Sequence, residues 1–150
     1  MLLFLANGEI FAKGAVGYEY TPATLTDTTN RIILEVVIQG VSTRAVIDTG
    51  APYVICSPQI GRLVGVTSEA ALARENMVIR GKILSGFVVR LNIQIVADVG
   101  ENLDVDSTVF VPDSVELWGN FPCFIGLGGF LERIKFAIDP NTDTFYFGKL

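Results

Sequence analysis

Asp48 and the residues around it are the part of this chain best equipped for chemistry. Ala45-Val46-Ile47 is an apolar, partly β-branched run leading into Asp48-Thr49-Gly50-Ala51, and strand-like Tyr53-Val54-Ile55-Cys56 follows at once. A carboxylate at the end of a buried strand is suited to acid–base work when a second carboxylate stands close by. Like charges at that distance cannot both ionise, so the pair shares one proton and supplies a base and an acid together. Asp48 is the carboxylate. Thr49 is small, with a hydroxyl that can bond a neighbouring backbone, and Gly50 leaves room for close approach. Asp-Thr-Gly also occurs as an ordinary turn; the apolar strands on both sides favour the catalytic reading.

Other chemistries are poorly served. The chain has 0 histidines, which excludes Ser-His-Asp, Cys-His and histidine-liganded metal mechanisms within it. Cys56 and Cys123 lie far apart in sequence and read as buried, reduced residues, with an incidental disulfide the weaker alternative. Asp98, Glu101, Asp104 and Asp106 lack the ligand spacing of a calcium loop and read as solvated loop acids. Gly126-Leu127-Gly128-Gly129 lacks a phosphate-loop pattern and reads as close backbone packing. Trp118 and Phe121 are either pocket residues or ordinary core anchors. No cofactor or metal is implied.

The elements that must position Asp48 are mostly strands. Ile32, Leu34, Val36 and Ile38 alternate with Arg31, Glu35 and Gln39, and Gly40 marks a turn before the strand over Thr43 to Ile47. Phe87 to Ile95, Leu103 to Val111 and Ile134 to Ile138 alternate in the same way, and Pro140 to Asp143 turns into a last strand, Thr144 to Phe147. Helix is scarce. Ser57-Pro58 opens a short helix over Gln59 to Val64, and Ser68 to Arg74 and Gly129 to Ile134 are two further short candidates. The expectation is one all-β domain over residues 1–150, a closed or barrel-like sheet with small helical inserts.

Composition bounds the partners. Half of the 150 residues are apolar, so a single core is affordable in size, and disorder is not indicated. Sixteen acidic against eleven basic side chains give a net charge of −5, which argues against a nucleic-acid face. Met1 to Ala6 is too short and lacks the basic flank of a signal sequence, and nothing else approaches membrane-spanning length. A soluble, cytoplasmic protein is expected.

Val46-Ile47-Asp48-Thr49-Gly50-Ala51 resembles the catalytic motif of the retropepsin-like aspartic peptidases, single-domain relatives of pepsin. Phe124-Ile125-Gly126 resembles the family's second hallmark, an apolar pair and Gly on a strand crossing behind the catalytic turn, with Leu127 to Ile134 as the helix that follows. The resemblance runs from about Arg31 to the C-terminus. It implies a flap hairpin with arms Met77 to Lys82 and Phe87 to Val96, and Ile83-Leu84-Ser85-Gly86 near its tip. It implies substrate contacts by Ala51, Ile83, Leu84, Ser85, Gly86 and Ile125.

Only one Asp-Thr-Gly is present, so the resemblance implies a homodimer in which Asp48 of each subunit meets at the two-fold axis. Met1 to Leu5 and Thr144 to Phe147 are apolar enough to build that interface. The implied activity is endopeptidase action on extended polypeptides with apolar residues at the cut. The alternatives are a non-catalytic peptide- or protein-binding module of the same fold, and a monomer whose dyad is completed by another chain. The family's viral members carry acids after the motif, where Pro52 and Tyr53 stand here. The first thirty residues fall outside the resemblance.

Overall fold

The computed structural model describes residues 3–150. Its regular elements are fourteen strands, two short α-helices and two 3-10 turns. Strands stand at or near the places that the sequence pattern and the resemblance lead one to expect: β5 (Arg31–Ile38), β6 (Val41–Asp48), β7 (Val54–Ile55), β8 (Ala73–Ile79), β9 (Lys82–Ile95), β11 (Leu103–Pro112), β12 (Cys123–Gly126), β13 (Ile134–Asp139) and β14 (Thr144–Lys149). The first part of the chain adds four short ones, β1 (Leu3–Phe4), β2 (Ile10–Ala12), β3 (Gly14–Gly17) and β4 (Glu19–Thr21), and β10 is Val99–Gly100.

The main sheet closes on itself. β5 pairs β6, β6 pairs β12, β12 pairs β7, β7 pairs β11, β11 pairs β9, and the far end of β9 returns to β5 through Val37↔Gln94 and Ile38↔Ile93. Alternate residues fill this ring: Leu34, Val36 and Ile38 from β5, Leu91, Ile93 and Ile95 from β9, Leu103, Val105 and Val109 from β11. Period-two alternation thus decides which side chains leave water, as pleating requires. β3, β14, β13 and β10 form a second sheet in the order β10-β3-β14-β13. Its Phe145 and Phe147 are buried in the ring's core, and Phe136 stacks on Phe145 with centroids 5.8 Å apart.

That second sheet corrects one expectation about assembly. β14 is hydrogen-bonded to β13 along one edge and to β3 along the other, so Thr144 to Phe147 has no free edge for a neighbouring subunit. Of the expected N-terminal interface segment, Met1 and Leu2 lie outside the described residues, and Leu3–Phe4 pairs with β2 of the same chain.

Helix α1 (Pro58–Leu63) starts as expected. The Ser57 hydroxyl accepts from the Ile60 N–H at 3.3 Å, and Pro58 occupies the first turn, where its missing N–H costs nothing. Ser68–Ala70 and Leu131–Arg133 are single 3-10 turns, shorter than the expected helices. A helix absent from the expectation, α2 (Val115–Trp118), is capped by Ser114. No helix among the described residues is long and apolar enough to cross a membrane.

Candidate active site

Asp48 is the last residue of β6 and is half-buried. Its Oδ1 accepts the Gly50 N–H at 3.0 Å, and its carbonyl accepts the Ala51 N–H at 3.1 Å, so the tripeptide closes on itself as a tight turn. The second carboxylate oxygen has no hydrogen-bond partner among the described residues, nor has the Thr49 hydroxyl. Both are left to whatever approaches the turn from outside.

The strand behind the turn explains the glycines. β12 runs parallel to β6 with Gly126 opposite Asp48, and the Leu127 N–H donates to the Ala51 carbonyl at 3.0 Å. A Cβ on Gly126 would collide with the Tyr53 carbonyl and stand 2.7 Å from that of Ala51; one on Gly128 would strike the Pro52 carbonyl. Backbone therefore crosses backbone at van der Waals distance directly under Asp48. Close packing, the reading given to this glycine run by sequence, is what it does.

Beside the turn, away from the ring interior, lies a second apolar cluster containing Val46, Ala51, Ile55, Phe110, Trp118, Phe121 and Phe124. Phe121 stacks on Phe124 at 5.1 Å, Trp118 meets Phe124 edge-on at 5.9 Å, and the Trp118 indole N–H donates to the Phe121 carbonyl at 2.7 Å. Trp118 and Phe121 are buried, and they stiffen the wall formed by residues 113–122.

The flap is the hairpin β8–β9, and its turn is Arg80-Gly81, both at positive φ, 53° and 78°. Two successive positive φ values make the two-residue turn whose twist suits a hairpin. This corrects the expected tip. Ile83-Leu84-Ser85-Gly86 is part of the second arm, paired with Val78, Met77, Asn76 and Glu75. Of these residues Leu84 enters the second cluster together with Ile79 of the first arm. Ile83 is 72% exposed on the opposite face, and Ser85 bonds Asn76 there at 2.7 Å. Gly86 is at the hairpin's base, where a Cβ would strike the Val111 carbonyl.

Ile125 is a second correction. It is 0% exposed and belongs to the ring's core, so it does not reach the cleft. Its neighbour Phe124 points the other way, into the cluster beside Asp48. Ala51 is buried in that same cluster next to the turn.

The flap is fastened at its base and at its tip. Tyr53 donates to Glu75 at 3.0 Å, and Arg74 pairs with Asp113. At the tip the Lys82 ammonium lies 3.4 Å from the Leu117 carbonyl, and the Arg80 guanidinium carbon stands 4.0 Å from the centroid of Phe121. Tyr53 thus takes a structural part that sequence did not assign to it.

Cys56 and Cys123 meet across β7 and β12. Both are free and buried, and the Ser57 N–H donates to the Cys123 sulfur at 3.2 Å. The Cys123 sulfur beside it, and then burial, push the Cys56 thiol up. No group of three or more His, Cys, Asp or Glu that could hold a metal ion occurs among the described residues.

No family model and no curated protein sequence matches the chain. Solved structures do. A retropepsin-like aspartic protease from Rickettsia conorii aligns with a TM-score of 0.52 at 16% identity, covering 91% of this chain and 93% of its own. The retroviral protease-like domain of Ddi1 from Leishmania major aligns with a TM-score of 0.56 at 16% identity, covering 80% and 90%. Identities this low speak for architecture alone: the chain has the fold of the retropepsin-like aspartic proteases.

Proposed function

We propose that the chain is an aspartic endopeptidase that acts as a homodimer. The observation carrying this reading is Asp48 itself: a half-buried carboxylate that accepts the Gly50 N–H, is backed by Gly126 and has one oxygen without a partner among the described residues, with one such turn per chain. A single carboxylate so placed cannot both activate water and protonate an amide nitrogen. Two can, and a second copy of the same turn is the simplest source.

In the dimer, the ionised Asp48 takes a proton from a water held between the two carboxylates as that water attacks the scissile carbonyl. The protonated Asp48 of the other subunit hydrogen-bonds the carbonyl oxygen, and a proton then passes to the leaving nitrogen. Neither step calls for a cofactor. The flap lies over an extended peptide, whose alternate side chains fill apolar pockets on the two sides.

The test is cleavage of a complex peptide mixture across mildly acidic to neutral pH by the wild type and by Asp48→Asn, with sedimentation of both. Cuts that fall by on the order of a thousandfold or more in a variant that still dimerises support the reading. A dimeric wild type that cuts nothing its variant does not would instead indicate a peptide-binding module. A monomeric wild type that turns over only with a second protein would point to a heterologous partner.

A further inference from the structure

The flap tip carries a cation with no counter-ion among the described residues. Arg31, Arg44, Arg74 and Arg90 are paired with Asp27, Glu19, Asp113 and Asp106. Arg80 has no such partner among the described residues, and it stands at the turn of the hairpin that covers the cleft. Its backbone is in the left-handed region at φ 53°, a conformation in which Asn or Gly is favoured and a long side chain is not. That costly placement sets its guanidinium over the ring of Phe121, 4.0 Å from the centroid, and the same ring stacks with Phe124.

The contact holds the guanidinium over the ring, and none of its N–H groups has a hydrogen-bond acceptor among the described residues. An aromatic face attracts the cation but accepts none of its hydrogen bonds in the plane. The nearest other cation on that ring, Arg31, is already neutralised by Asp27, so it adds no competing demand. An oriented, unpaired guanidinium beside an apolar wall is a receptor for a carboxylate, which it can grip through two parallel hydrogen bonds.

Building on the endopeptidase reading, we propose that Arg80 is a specificity-determining residue, selecting peptides that carry an acidic side chain under the flap tip. The acid stands at a position flanking the cut and not at the cut itself, where the Asp48 pair would repel it. The substrate class is then an extended peptide with an apolar scissile pair and a flanking Asp or Glu.

The test uses the intact protein and a matched peptide set with an apolar scissile pair and Glu, Gln or Lys at each flanking position in turn. The wild type should favour Glu over Gln about tenfold in kcat/KM at one position, mainly through KM, and the ratio should fall with added salt. In Arg80→Gln that ratio should collapse towards one, and in Arg80→Glu the preference should turn to Lys. A wild type that cuts the Glu and Gln peptides equally at every position, or an Arg80→Gln that keeps the preference, overturns the proposal. If the wild type cuts no peptide, the endopeptidase reading fails by itself, and calorimetric titration with the same set decides about Arg80. Tighter binding of Glu peptides that is lost in Arg80→Gln sustains it; equal binding or none overturns it.

Discussion

Tyr53 donates its hydroxyl proton to Glu75 across 3.0 Å, joining the strand that leaves the Asp48 turn to the first arm of the flap. The hairpin's base is thereby tied to the floor of the site, independently of the tip contacts made by Arg80 and Lys82. The Glu75 carboxylate that accepts this bond, and then burial, hold the Tyr53 phenol above its ordinary value of 10.0. The neutral phenol is the form that the fold favours. Its contribution is therefore whole below pH 10 and is lost as the pH climbs past that value.

Removing that hydroxyl should loosen the flap without touching Asp48. A hydrogen bond to a carboxylate that water partly reaches contributes about 1 kcal/mol, so Tyr53→Phe should raise KM about fivefold. The value of kcat should change less. Hydrogen exchange over residues 73–79 should quicken in the same variant. A KM that stays put while exchange quickens would show that the flap's base does not govern peptide entry.

Gly126→Ala tests the crossing under the site. Its added methyl would meet two backbone carbonyls, those of Tyr53 and Ala51, and neither can rotate aside as a side chain could. Overpacking of a close-packed site costs typically about 1–3 kcal/mol, and fixed backbone puts this one at the upper end. Denaturant unfolding should show a loss of that order, with activity falling as β6 and β12 separate. Gly65→Ala is the control at a position with open space, where the strain comes only from its φ of 75°.

The parts of the molecule legible in sequence are those where one local pattern had one physical meaning. β5, β9 and β11 bury one face, so alternation marked both the strand and its inward residues. β12 is buried on both faces at Cys123, Phe124, Ile125 and Gly126, so its pattern does not tell Phe124 from Ile125, and only the resemblance implies a cleft contact for Ile125. The flap tip was displaced for a related reason. Ser85-Gly86 resembles a turn, but Gly86 is small to admit the Val111 carbonyl, while the real turn, Arg80-Gly81, lacks the usual Asn or Asp. Strands of two to four residues in the first part of the chain are too short to show a period. The turn at Asp48 is legible because it is local: Asp48, Gly50 and Ala51 close it among themselves. Cys56 meeting Cys123 is not, because that contact exists only once β7 and β12 pair.

Asp27 should link acid stability to the cleft wall. Two bonds from Arg31 and then the Ala23 N–H hold its carboxyl down at about 2, against an ordinary 3.8. A depressed carboxylate contributes stability that is complete above its unfolded value and is lost as the pH falls through its folded one. Asp27→Asn should therefore melt below the wild type at pH 6. The gap should narrow between about pH 4 and pH 2, as thermal melts across that range would record. A gap independent of pH would mean that the Ala23 and Arg31 contacts stabilise the loop through shape and not through charge.

Ala51 sets the last expectation, the pH range of turnover. A dyad that works with one shared proton gives a bell-shaped profile, whose acid limb follows protonation of the carboxylate acting as base. Ala51 is buried beside the turn and offers only its backbone N–H, which the Asp48 carbonyl accepts at 3.1 Å. A serine in its place would bring a hydroxyl able to donate to the Asp48 carboxylate and favour its charged form. The wild type should then have a less acidic optimum than pepsin, and Ala51→Ser should carry the acid limb of kcat/KM to lower pH. The limb is measured on one peptide in buffers of constant ionic strength. Maximal wild-type activity only in strong acid would contradict the first expectation. An acid limb that Ala51→Ser leaves in place would overturn the second.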